Sequence, residues 1–223
     1  MEEEIKILNF GFVNAYLVKL DDGYALIDTG LPIHSKKLEN KLKIEGCLPD
    51  NLKIVILTHG DLDHIGNAKK LQDKYHVKIA IHKEDYDYME KNIIPNREGK
   101  SLKFKIILKL IKIIIKFQKN RPKSSLFHPD IFLNDNDSLK KYGFNAKVIY
   151  IPGHTLGSIG ILTEEGDFFS GDTLENRKKP DSANIIENET KLKTSLEKIK
   201  KLDVKMVYPG HGKPFLMKDL KLL

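Results

Sequence analysis

Five times along this sequence a short apolar run ends in a turn that carries histidine or aspartate. Residues 24–27 run into Asp28, Thr29 and Gly30, and residues 54–57 into Thr58, His59, Gly60, Asp61, Leu62, Asp63 and His64. Residues 148–151 lead to Pro152, Gly153, His154 and Thr155, residues 168–170 to Gly171, Asp172 and Thr173, and residues 206–208 to Pro209, Gly210, His211 and Gly212. Imidazole and carboxylate in this mixture suit a divalent zinc, manganese or iron ion, and a carboxylate can bridge two of them. Between His59 and His64 the chain offers two histidines and two aspartates, and no core-packing requirement calls for them there. Any one of these histidines, taken singly, reads as structural or surface. Taken jointly, each after a strand, they read as a metal site.

Such a site needs elements that bring all five turns to one edge. Strands do this, and α/β proteins place ligand sites at the carboxyl ends of their strands. Strand patterns occur at 5–9, 14–20 and 24–28, and the turn Asp21, Asp22, Gly23 is a hairpin signal. A surface helix over 35–45 (Leu38, Leu42, Ile44) precedes a buried-strand pattern at 53–57. A helix to about residue 75 and a strand at 76–81 follow. The second half repeats the texture, with strands at 146–151, 158–162, 167–170 and 204–208 and a helix over 190–201 (Leu192, Leu196, Ile199). The alternation predicts an α/β protein, two halves forming one sandwich over residues 1–223.

The set DTG, THGDLDHIG, PGHTLGS, SGDT and PGHG resembles the five motifs of the metallo-β-lactamase superfamily of hydrolases, in the family's order from Asp28 to Gly212. The resemblance implies an αββα sandwich with a dinuclear metal site at one edge of its two sheets. It implies that one ion takes His59 and His154, that the other takes Asp63, His64 and His211, and that Asp172 bridges them. Asp28 then orients ligands from behind, a role metal sites generally need. One position departs from the family. Its second motif reads His-x-His-x-Asp-His, and here the middle histidine is Asp61. Ligation by Asp61 gives a first site of His59, Asp61, His154 and Asp172, harder and more anionic than the usual one, which adds weight to iron or manganese against zinc. A carboxylate at this position is similar to the flavodiiron proteins. The alternative is that Asp61 points away and only the second ion binds firmly.

The chemistry implied is hydrolytic. Two divalent ions acidify a water and polarise a scissile carbonyl or phosphoryl oxygen, and Asp63 is placed to accept a hydrogen bond from the attacking hydroxide. The family includes thioesterases, lactonases, β-lactamases, phosphodiesterases and sulfatases and so does not fix the substrate. Glyoxalase II-like and lactonase-like members are nearest in texture, which makes a small acyl ester, thioester or lactone the expectation. Two other readings stay open: a diiron oxidoreductase resembling flavodiiron proteins without their flavin domain, and a catalytically weak binding module at a membrane surface.

The 223 residues carry 38 Lys+Arg and 31 Asp+Glu, a net charge of +7. Residues 99–129 hold nine basic side chains and no acid, and residues 190–223 hold nine lysines against Glu197, Asp203 and Asp219. The rest of the chain is acidic. Only three of the 38 cations are arginine, and bidentate readout of bases and phosphates leans on arginine, so no nucleic-acid partner is expected. Residues 101–118 read as a helix with Lys105, Lys109, Lys112 and Lys116 on one stripe. It lies in an insertion at 88–130 between the second and third motifs, where it is expected to lay its apolar side over the site and its lysines to water. A basic amphipathic helix also suits an anionic membrane, and a broad apolar face suits a homodimer. The acidic start lacks a signal-peptide pattern and Cys47 has no partner for a disulfide, which together lead to the expectation of a cytoplasmic protein. His34, His76, His82 and His128 have no motif context, and of these only His128 is expected near substrate.

Overall fold

The computed structural model describes residues 4–91, 93, 95–117 and 127–221. Strands β1 (Ile5–Asn9), β2 (Asn14–Leu20) and β3 (Gly23–Ile27) form an antiparallel meander, with the hairpin turn where Asp21 and Asp22 stand. Helix α1 (Ser35–Ile44) crosses to β4 (Leu52–Ile56), parallel to β3. After α2 (Leu62–Ile65) and α3 (Ala68–Tyr75) the chain returns as β5 (Lys78–Ile81), parallel to β4. Then come α4 (Lys83–Glu90), β6 (Glu98–Gly99) and α5 (Leu102–Phe117), and β7 (Ile131–Phe132) completes a six-stranded sheet in the order β1-β2-β3-β4-β5-β7.

A second sheet is built from β8 (Ala146–Tyr150), β9 (Ile159–Thr163) and β10 (Asp167–Gly171), all antiparallel. Three two-residue strands follow, β11 (Leu174–Glu175), β12 (Asp181–Ser182) and β13 (Ile185–Ile186). Helix α6 (Glu189–Lys200) leads to β14 (Met206–Pro209), parallel to β10, and β15 (Phe215–Leu216) ends the sheet.

Burial sorts these elements into four layers. Leu38 and Leu42 of α1 and Leu71 and Tyr75 of α3 pack with Leu17, Leu26 and Val55 on the outer face of the first sheet. Tyr16, Ile27, Ile54, Ile56, Val148, Ile161 and Phe169 fill the space between the sheets. Ile199 of α6 packs with Ile149, Phe168 and Val207 on the outer face of the second. The fold is an αββα sandwich. Both faces of its central strands are covered, which is why they read as continuous apolar runs and not as alternating ones.

One element is unforeseen and one expectation needs correction. Helix α4 falls in a stretch so charged that it carries no helical stripe; only Asp85 and Tyr86 of it are buried, and His82 caps it by accepting from the Glu84 amide. Over residues 102–110, helix α5 does not divide into an apolar side over the site and a lysine side to water. Leu108 is buried and Phe104 and Ile107 are half-buried, but Leu102, Ile106 and Leu110 are exposed together with Lys103, Lys105 and Lys109. Gln118, Lys119, Arg121 and Lys123 lie outside the described residues, as do Met1, Glu2 and Glu3 at the start.

Candidate metal centre

All five turns meet at one edge of the sandwich. Asp28 follows β3 with φ of +60°, a left-handed conformation that aspartate tolerates. His59 follows β4, while Asp63 and His64 sit on α2, whose first turn is set by Asp61. His154 follows β8, Asp172 follows β10 and His211 follows β14. Backbone hydrogen bonds fix the turns to one another: Thr29 N donates to His64 O at 2.7 Å and Gly210 N to Gly171 O at 2.9 Å. Gly210 has to be glycine, because a Cβ there would lie 2.2 Å from Asp172 Oδ1 and 2.6 Å from His64 Cε1.

The four histidines are oriented the same way, each by its Nδ1. His154 Nδ1 donates to Ile185 O at 2.8 Å and His211 Nδ1 to Phe12 O at 2.5 Å. His64 Nδ1 donates to Asp28 Oδ2 at 2.8 Å. Thr58 Oγ1 gives its proton to Asp28 and receives His59 Nδ1–H at 3.0 Å. A carbonyl or carboxylate only accepts, so each Nδ1 carries the hydrogen and each Nε2 is turned inward.

Two trios of ligand-type atoms result: His59, His154 and Asp172, and Asp63, His64 and His211. Asp172 lies between them, Oδ1 at 3.3 Å from His64 Nε2 and Oδ2 at 3.0 Å from His211 Nε2 and 3.8 Å from His154 Nε2. Asp63 Oδ2 is 3.4 Å from His211 Nε2. His59 Nε2, His64 Nε2 and Asp172 Oδ1 are buried without a hydrogen-bond partner, a costly condition unless something else satisfies them. Three orphaned donor atoms of the types that bind divalent ions, facing one another with their rings fixed from behind, fit metal coordination.

Asp61 lies beside the first trio, Oδ2 at 3.2 Å from His154 Nε2 and 3.6 Å from His59 Nε2. Arg97 Nη1 donates to both of its oxygens, at 2.7 and 2.6 Å. The electrostatics without an ion follow from burial and crowding. Burial pushes Asp172 up, but the His211 and His64 charges hold it well below the usual carboxylate range. Burial pushes His64 down, but Asp172, Asp28 and Asp63 raise it well above an ordinary imidazole. The same balance against Asp172 lifts His211 to about 10. Burial opposes ionisation of Asp61 and the Arg97 guanidinium, ahead of His154, overcomes it. An ion bound here would have to displace the imidazolium protons.

Residue types and strand context therefore single out Asp28, His59, Asp61, Asp63, His64, His154, Asp172 and His211, and the structure gathers all eight at this edge. His128 is not there: it is exposed and its backbone pairs with Gln72 of α3. Three residues escape sequence reasoning. Asp85 of α4 is buried and accepts from Gly60 N (2.7 Å), Gly157 N (2.7 Å) and Thr155 Oγ1 (2.8 Å), tying the His59 and His154 turns together. Arg97 and Glu187 are the others, Arg97 Nε lying 3.8 Å from Glu187 Oε2. Each is a single charged residue in a charged, irregular stretch, and no spacing marks it.

The profile of the metallo-beta-lactamase superfamily matches residues 8–211. A hydroxyacylglutathione hydrolase of Haemophilus influenzae, GloC, is 32% identical over 126 residues, 56% of this chain and 50% of that protein, so the match spans half of the relative's length. Among solved structures, the BLEG-1 B3 metallo-beta-lactamase superposes with a TM-score of 0.72 at 22% identity, covering 97% of this chain and 95% of that one. TTHA1623, crystallised in a di-iron-bound form, superposes with a TM-score of 0.67 at 23% identity, covering 96% and 95%. At these identities the structural likeness speaks to fold.

Proposed function

This chain belongs to the metallo-beta-lactamase superfamily, and we propose that it is a metal-dependent hydrolase that binds two divalent ions and cleaves a small acyl thioester, ester or lactone. The observation that carries the reading is the convergence of the buried, unpartnered His59 Nε2, His64 Nε2 and Asp172 Oδ1. When bound, the ions supply Lewis acidity and an acidified water. His59, His154 and Asp172 hold the first, with Asp61 beside them; Asp63, His64, His211 and Asp172 hold the second. Asp63 is the most exposed member of its trio, its side chain 22% accessible, so its carboxylate is the one placed to hold a proton of the attacking water. Asp28 and Thr58 keep His59 and His64 from turning. Phe12, half exposed and stacked on His211 with ring centroids 5.8 Å apart, gives the rim an apolar surface for an acyl group.

The name of the Haemophilus relative supports a thioester first. The carboxylate of Asp61 is the one feature that points toward a diiron oxidoreductase, and Arg97 already binds both of its oxygens, which favours the hydrolase. Protein stripped with a chelator and reloaded with zinc, iron or manganese is to be assayed on acyl-thioester and lactone panels. Turnover that His59→Ala or Asp172→Ala lowers by roughly 100-fold or more supports the reading; turnover indifferent to metal or to both substitutions overturns it.

A further inference from the structure

The Arg97–Asp61 pair sits where a metal ligand is expected, and nothing in the hydrolytic reading uses it. Arg97 is held just ahead of β6, which pairs with β13; Ile185 of β13 is also the residue whose carbonyl orients His154. One ribbon thus sets both the guanidinium and a ligand of the first trio. The Arg97 side chain is only 12% accessible, and its second carboxylate neighbour, Glu187, lies at 3.8 Å without a hydrogen bond to it. Asp61 Oδ2 is shared: 2.6 Å from Arg97 Nη1 and 3.2 Å from His154 Nε2.

We propose that Arg97 is a positioning residue that holds Asp61 as its own counter-ion and so makes the two metal sites unequal. The inference rests on the metal reading above. For Asp61 Oδ2 to bind an ion at the first trio it must give up its 2.6 Å bond to Arg97 Nη1, and weakening the pairing of a buried cation is disfavoured. An ion there also approaches the guanidinium, a like charge, in a poorly solvated pocket. The second site has no such competitor, with Asp63, His64, His211 and Asp172 all directed to it. The second site fills first. The first holds its ion by His59, His154 and Asp172 alone.

Cobalt titration of the chelator-stripped full chain, followed by calorimetry and by the visible spectrum, tests this without reference to turnover. The expected result is one tight equivalent and a second at least about tenfold weaker. Arg97→Gln frees Asp61 and tightens the second equivalent roughly tenfold or more. The double variant Arg97→Gln, Asp61→Asn loses that gain, as a two-residue cycle requires when one side chain acts through the other. Two equally tight equivalents in the unsubstituted chain overturn the inference and leave the hydrolase reading standing. So does a folded Arg97→Gln protein whose second equivalent is unchanged or weakened, since Asp61 is then a ligand that Arg97 assists. Failure to bind any cobalt overturns both.

A separate observation concerns the outward stripe of α5. Leu102, Ile106 and Leu110 are 75%, 53% and 56% exposed at spacings of one helical turn, among lysines and no acid from residue 99 to 129. A second copy of the chain would set two such cationic helices face to face. We infer that this stripe docks on an anionic lipid surface, where apolar insertion and charge attraction act together. Vesicles of phosphatidylcholine with 30% phosphatidylglycerol should sediment the protein at low salt, and neutral vesicles should not. Replacing Leu102, Ile106 and Leu110 by serine, all exposed, should abolish sedimentation without changing the thermal midpoint. Concentration-dependent dimerisation lost on the same triple change, binding to duplex DNA but not vesicles, or no sedimentation at low salt each overturns the inference.

Discussion

At the scale of single residues, the ligand-type groups gathered at the site are the ones the sequence displays, and the groups that hold them in place are only partly visible. Asp28 is legible because it stands in a strand-to-turn motif. In the structure it binds His64 Nδ1, Thr58 N and the Thr58 hydroxyl at once. Asp28→Asn keeps the shape and suits the +60° φ, since asparagine is among the residues that adopt it, but it loses the charge that fixes the His64 tautomer. Metal affinity should fall about 10- to 100-fold by chelator competition, with the fold unchanged by circular dichroism. Cys47 makes the opposite case, a reactive type in an inert place. It is fully buried in the first outer core, and burial pushes its thiol up to about 12. Thiol reagents at pH 8 should label the native protein only after denaturant unfolds it. Rapid labelling of folded protein would show that the α1 side of the core opens readily.

At the scale of elements, long apolar strands and stripes are legible within a residue or two, and short pieces are not. The strand read at 53–57 is β4, and the helix read at 190–201 is α6. Strands β6, β11, β12 and β13 are two residues each, too short for any period, and they exist because the loops around the metal edge pair with one another. Helix α4 is the instructive miss. It buries Asp85 at the site and sets Tyr86 and Met89 against the first outer core, a contribution too small to leave an apolar stripe. Asp85→Ala leaves Gly60 N, Gly157 N and the Thr155 hydroxyl without their acceptor. Stranding buried donors costs about 1–3 kcal/mol each, so even one left unsatisfied lowers the midpoint by roughly 2–10 °C for a chain of this length. The loss should fall on the His59 and His154 turns, so the ion at the His59, His154 and Asp172 trio, the weaker second equivalent, should weaken more than the first. Equal weakening of both would mean that Asp85 supports the whole edge.

For the molecule as a whole, the site is also a clasp. His59, Asp61, Asp63 and His64 come from the first sheet's side, and His154, Asp172 and His211 from the second's. Ions held between them would join the two halves across the edge where the inter-sheet core stops. Metal at 100 times its dissociation constant should therefore stabilise the fold by about 2.7 kcal/mol. Without metal, protons take over part of this role. Burial pushes His211 down, but Asp172 more than compensates and raises it to about 10, against about 6.5 in an unfolded chain. A group raised on folding contributes stability that is complete below its unfolded pKa and is lost as pH rises through its folded one. Burial pushes His64 and His154 down as well, but Asp172 and Asp28 raise His64, Asp61 and Asp172 raise His154, and both act with the same sign. The melting temperature of metal-stripped protein should thus fall steadily from about pH 6.5 to pH 10. Loaded protein should show a much flatter profile over that range, because its imidazoles have already given up their inward protons. A metal-stripped melting temperature that holds or rises through this window would mean that Asp172 does not bind the sandwich together through His211.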